Sequence, residues 1–438
     1  MAYTMEQIPN GAELQRRLEV VKYLESEITQ PVGIQWDTTS NSPSFQRIDI
    51  NGDNLNVSTS FFNNHVLWNN RRCVRNRSTG TISFDTSLAL DGTAGDVLVK
   101  YLTDRWAYAL DGDFMQWYAI PNYTDNTQYE IHPFGVQHGG VERPYIYIGA
   151  KEAYGYLDGG TFKLGSASGK QPVTGAVSYT DLPESGRFTL DDAITYAGNK
   201  GTGWWPCNPY TYADIKLRMA IEYGTFDIPS NTSSPLGLGV TNKAVGDTGT
   251  YSGVLTGADS IDSRLSSNGT GTGSGVNGET PICWRYLENI YGNVWEMMAG
   301  INMFNSAGTD GEGNAYSAGT CRVLKASGGG TPAATLTAAN YLTVSGVVPS
   351  SGSDNYISAI LTGKTGAQLF LPSAVSGTST TYVCDTFYYP RYNPSIVLHG
   401  GYWNNGTNAG PFCIFAYAPT TYSHRMAGCR LEYYPPLS

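Results

Sequence analysis

Two glycine–aromatic clusters limit what this chain can fold into. The first is Gly292-Asn293-Val294-Trp295-Glu296. The second is Gly400-Gly401-Tyr402-Trp403, followed by Gly428-Cys429-Arg430-Leu431. Glycine beside tryptophan asks for close backbone approach next to a large ring, as in a tightly packed sheet. Residues 33–104 add short apolar–polar alternations (GIQW, FQRIDI, HVLW, DVLVKYL) broken by Asn-Gly, Thr-Gly and Asp-Gly turns. That is the pattern of paired strands.

Composition narrows the class of function. Only 15% of the 438 residues are charged, 27 basic against 37 acidic, for a net charge of −10; an average soluble domain has roughly 25%. Aromatics make up 12%, including 31 tyrosines. So much apolar surface excludes intrinsic disorder. The absence of an apolar run near ~20 residues argues against a spanning helix. The acidic balance argues against nucleic-acid binding. A surface poor in charge and rich in Tyr, Asn, Ser, Thr and Gly has the composition of a binding surface. Seven widely spaced cysteines include no C-x-x-C pair, so buried free thiols formed in a reducing compartment are expected. The opening MAYTMEQIPNGAEL has no basic region and no apolar core of a secretory signal.

Along the chain, GAELQRRLEVVKYLESEI over 11–28 places Leu14, Leu18, Val21 and Ile28 on one helical face. It predicts a docking or oligomerising segment over 1–32. A small all-β domain is expected over 33–104, and a larger domain over 105–438. FTLDDAITYAGNKG predicts a helix capped by Thr189 with Asp191 and Asp192 in its first turn. YTYADIKLRMAIEYGTFD predicts another, turning Ile215, Met219 and Ile221 to the core and stopping at Gly224. Gly/Ser/Thr-rich tracts near 228–280 and 305–395 read as insertions.

Several catalytic signatures fail on inspection. Gly273–Gly278 matches G-x-G-x-x-G but follows no strand. Gly169-Lys170 lacks the first glycine and the final hydroxyl of a phosphate loop, because Leu164 and Gln171 stand there. The five histidines form no H-x-x-x-H pattern, and Asp111-Gly-Asp113 reads as a turn. Calcium-dependent sugar binding would need carboxylates that Ile120-Pro121-Asn122 and Trp403-Asn404-Asn405 do not supply. An enzymatic alternative would require a cleft gathering two or more of Asp111, Asp113, Glu296, His132 and His138.

The two clusters in this order resemble the C-type lectin fold of the formylglycine-generating-enzyme branch, over roughly 105–438. The resemblance implies an α+β fold, with the helices at 189–224 as its pair. The enzyme's cysteine pair maps to Asn405 and Gly410, so its copper and oxygen chemistry is not implied. The C-terminal segment is similar instead to the variable region of retroelement-diversified proteins, among them phage tropism determinants and tail receptor-binding proteins. The framework positions of that family stand here as Gly400, Gly401, Trp403, Gly406, Ala409, Gly410, Phe412, Gly428, Arg430 and Leu431. Between them lie Tyr402, Asn404, Asn405, Thr407, Asn408, Cys413, Phe415, Tyr417, Thr421, Tyr422, Ser423, His424 and Arg425. These thirteen are the ligand-binding residues the resemblance implies, with the aromatics as anchors and His424 and Arg425 as polar contacts.

The resulting expectation is a phage tail-tip protein that binds a bacterial surface glycan or protein. It would be a homotrimer attached to other tail proteins, with no catalytic residue, cofactor, metal, membrane or nucleic-acid partner. The alternatives are a structural baseplate or fibre component, and a lectin-fold enzyme.

Overall fold

The computed structural model describes residues 29–436, apart from 123–125, 139, 231–235, 244–248, 275–277, 326–332 and 349–353. The helix expected over 11–28 lies outside these residues. The architecture is mixed and strand-rich, with few helices.

Three sheets carry most of the chain. A five-stranded antiparallel sheet runs in the order Gln46–Ile48, Val32–Asp37, Phe114–Pro121, Asp104–Asp111 and Glu130–Ile131. A six-stranded sheet runs Trp204–Pro206, Leu431–Tyr433, Tyr145–Gly149, Asp96–Leu102, Arg71–Arg75 and Ile82–Ser83. A nine-stranded sheet is centred on Trp295–Met303, Ser395–His399 and Ile414–Pro419. The boundary expected near residue 104 runs through two of these sheets. Val32–Asp37 pairs with Phe114–Pro121, and Asp96–Leu102 pairs with Tyr145–Gly149. The tract over 305–395 also joins the main sheet, through Cys321–Leu324, Tyr341–Val344, Asn355–Ile360, Pro372–Val375 and Thr386–Tyr388.

The first predicted helix is α1, Leu190–Gly198. Its capping box is reciprocal: Asp192 N–H donates to Thr189 Oγ1 at 3.2 Å, and Thr189 N–H donates to Asp192 Oδ2 at 2.9 Å. The second is α2, Pro209–Tyr223, opened by Asn208, whose Oδ1 accepts from Tyr210 and Thr211 N–H. It ends at Gly224 with φ +70°. All fifteen of its residues are buried, including Asp214, Lys216, Arg218 and Glu222. Three of those charges are paired inside: Asp214 with Arg218 at 2.8 Å, and Glu222 with Arg285 at 2.6 Å. Around α2 close Trp36, Trp68, Trp117 and Trp284, all essentially inaccessible. Each such side chain removed from water contributes about 1.5–3 kcal/mol. All seven cysteines are buried free thiols. No described helix is long and apolar enough to cross a membrane.

Candidate functional site

The two clusters of the sequence meet in space. Gly292 N–H donates to Gly400 O at 3.0 Å, and Trp403 N–H donates to Asn293 O at 3.1 Å. The third motif joins through a short parallel pairing of Trp295 with Ala427 and Glu296 with Gly428. Gly400 and Gly401 have φ of +93° and +88°. A Cβ on Gly401 would lie 2.4 Å from Ala409 Cβ, so only glycine fits that turn. Trp403 is fully buried beside Val240, Val294 and Tyr251. This framework holds the segment 402–425 in place.

On it, the expected binding residues divide by exposure. Asn404, Thr407, Tyr417 and Thr421 are exposed. Tyr402, Asn405, Asn408, Tyr422, Ser423, His424 and Arg425 are half-buried. Several of these brace the loop. Asn405 Oδ1 accepts from Tyr402 N–H at 2.9 Å, and its Nδ2 donates to Tyr388 Oη at 2.9 Å. Asn408 Oδ1 accepts from the Tyr356 hydroxyl at 2.6 Å. Ser423 Oγ accepts from Phe188 N–H at 2.8 Å. Arg425 Nη1 donates to Thr250 O at 3.3 Å, and the Tyr422 and His424 rings stack at 6.1 Å.

Two expectations are corrected. Cys413 is fully buried and Phe415 nearly so. Cys413 sits in the turn that brackets Gly400, its carbonyl accepting from Gly400 N–H at 3.1 Å; burial pushes its thiol well up. Phe415 is a core ring, 5.2 Å from Trp295 and 5.6 Å from Tyr388. Neither side chain is available to a ligand.

The surface that results is centred on Tyr417. The Arg391 guanidinium lies 3.8 Å over its ring, and Tyr392 stacks beside it at 6.0 Å and 18°. Arg391 is steadied by Asp354 at 3.6 Å. Tyr392 and Tyr417 are 40% and 36% exposed, high for aromatic rings. Tyr356, Tyr388, Arg391 and Tyr392 belong to the tract read as an insertion. The aromatic run TYVCDTFYYPRYNP over 381–394 is the signal that points to the last three.

The residues of the enzymatic alternative do not meet. Asp111 and Asp113 lie at an exposed hairpin tip. Glu296 is buried against Arg430, with Tyr212 donating to its Oε2 at 2.7 Å. His138 stacks on Trp205 at 4.4 Å. His132 instead joins Asp104 and Asp214, all three buried with ligand atoms within 4.8 Å of one another. A divalent cation there would share the cavity with the Arg218 guanidinium, 2.8 Å from Asp214. Burial and the neighbouring Asp214 push the Asp104 carboxyl well up.

No protein family's sequence model and no curated protein sequence matches this chain. Among solved structures, it is similar to the U1, M1 and P3c variants of the Major Tropism Determinant. Each is 10% identical, with 91% of this chain and 82% of that chain covered, at TM-scores of 0.28, 0.27 and 0.26.

Proposed function

We propose that this chain is a receptor-binding protein of a phage tail. A C-type-lectin-like domain would hold a bacterial surface ligand on its Tyr417 face. The observation that carries the reading is the contrast within 400–431. Gly401, Trp403, Ala409, Gly410, Phe412, Arg430 and Leu431 are buried framework, while Asn404, Thr407, Tyr417 and Thr421 face solvent. A rigid scaffold under interchangeable exposed side chains is the arrangement retroelement diversification requires, and it matches the physics of paratopes. Tyr417, braced by Arg391 and Tyr392, is a rigid aromatic anchor, and Asn404, Thr407 and Thr421 form its polar rim. The chain assembles as a homotrimer on other tail proteins, and symmetric copies add avidity to weak single sites. No catalytic step or cofactor enters this reading.

The test uses fluorescently labelled full-length protein against a panel of bacterial cells. Wild type is expected to label a subset, and Tyr417→Ala and Arg391→Ala to lose ~10-fold or more of that binding while remaining folded. Labelling unchanged in both variants would sink the assignment. Capture of tail proteins with no labelled cell would favour the structural alternative.

A further inference from the structure

One cavity lies away from residues 402–425. It occupies about 540 Å³ between the 3₁₀ turns Thr59–Asn63 and Val66–Trp68, the start of the strand Arg71–Arg75, and the loops at 267–268 and 285–286. That is the volume of an ordinary small-ligand site. Its lining is unlike an ordinary apolar site, because carboxamides dominate: Asn63, Asn64, Asn69, Asn70 and Asn268.

Three features point to what it would hold. First, Asn70 is only 6% exposed, and its Oδ1 has no hydrogen-bond partner, while its Nδ2 donates to Arg285 O at 3.4 Å. A buried acceptor left unmade is unfavourable, so the wall beside Asn69 and Arg71 carries an unmet hydrogen-bonding demand. Second, the charge is one-sided. Arg72 is paired with Asp262 and Arg285 with Glu222. Arg71 is exposed and has no carboxylate partner among the described residues. Its guanidinium lies 4.4 Å over the Phe84 ring, and no acidic residue lines the cavity. Third, Arg285 and Tyr286 form the two-residue turn between Ile282–Trp284 and Leu287–Glu288, with φ of +49° and +70°. Such turns normally take Asn-Gly, so this one is strained. The strained turn sets the Tyr286 side chain in the cavity wall, against Gly269.

We infer that this cavity is a second binding site, for a saccharide bearing a carboxylate. Carboxamides match vicinal hydroxyls, which donate and accept together. Phe84 and Tyr286 add aromatic carbon to the wall, for the apolar side of a pyranose. Arg71 takes the carboxylate in a two-point, charge-assisted bond. The site does not depend on the Tyr417 face.

Titration calorimetry of the full-length protein with trigalacturonic acid, and with its fully methyl-esterified form, tests this. The acid is expected to bind, and the ester at least ~10-fold more weakly. Arg71→Ala, an exposed position, is expected to abolish that preference, and Asn69→Ala to weaken both probes. Tyr417→Ala is expected to change neither, which separates this site from the proposed receptor face. Absence of binding by the acid would overturn the proposal. So would binding unaltered by Arg71→Ala and Asn69→Ala, or binding lost with Tyr417→Ala.

Discussion

Arg430 holds Glu296 at two points: Nη2 donates to Oε1 at 2.7 Å and Nε to Oε2 at 3.2 Å, with both side chains buried. The pair ties the last glycine motif to the first. Arg430 Nη1 also donates to Gly149 O at 2.9 Å, reaching the six-stranded sheet. Burial acts to raise the Glu296 carboxyl, but Arg430, with His399 and Tyr212, carries it below its ordinary value. Removing one partner leaves a buried uncompensated charge, so Arg430→Ala is expected to cost about 3–5 kcal/mol in urea unfolding. Replacing both together, Glu296→Leu with Arg430→Met, is expected to recover much of that loss. Equal losses in the single and double variants would show that the pair itself is not the tie.

Glycine is required at Gly401 for a reason absent at Gly406. Both have positive φ, but a Cβ on Gly401 meets Ala409 at 2.4 Å, whereas one on Gly406 meets nothing within 4 Å. Gly406→Ala is expected to cost about 1 kcal/mol, the backbone penalty alone. Gly401→Ala is expected to cost about 3 kcal/mol or more, because the turn must open. Thermal unfolding of the two variants checks the ranking.

Asp104 gives a pH signature. Its folded-state carboxyl is raised by burial first, then by Asp214, with Arg218 opposing. The folded protein therefore keeps a proton that the unfolded chain releases above pH ~3.9. This contribution to stability is present at low pH and is lost as pH rises toward the folded-state value. Asp104→Asn removes the dependence and can donate to Asp214 Oδ1, which has no partner. The variant is expected to be close to wild type near pH 4. It should gain on wild type by up to about 1.4 kcal/mol per pH unit above that. A pH-independent difference between the two proteins would contradict the raised Asp104 carboxyl.

Phe415 and Tyr417 share a strand face, with ring centroids 6.1 Å apart, yet they should fail differently when truncated. Phe415→Ala is expected to cost about 3–5 kcal/mol of stability, because the ring fills space under Trp295 and Tyr388. Tyr417→Ala is expected to stay within about 1 kcal/mol of wild type. Denaturation midpoints for the pair check this, and show that a binding loss in Tyr417→Ala is not unfolding.

Local chemistry was legible in the sequence where it decides structure by itself. Thr189 and Asp192 begin α1 as read, and Gly224 ends α2. The three motifs converge as expected of a tightly packed sheet. What one sequence could not show was the partner of each charge. Asp214, Lys216, Arg218 and Glu222 give α2 the polar pattern of a solvated helix. All are buried: Arg285 reaches Glu222 from far along the chain, and Asp214 pairs with Arg218 one turn away. The tract over 305–395 read as an insertion because its strands are short and flanked by Gly, Ser and Thr. Their pairing with 295–303 and 414–419 is long-range, and no local period reports it. Phe415 reads as an anchor from its position between framework residues. Its burial depends on Trp295 and Tyr388, which sequence proximity does not reveal.

The Tyr417 face is where the ligand is expected to sit. Hydroxyl-radical footprinting of the full-length protein, free and bound to envelope fragments of a cell it labels, measures this directly. Protection is expected at Tyr392, Tyr417 and Tyr422, with Tyr156 and Tyr316 unchanged. Unaltered reactivity at Tyr392 and Tyr417 on saturated envelope would place the ligand elsewhere.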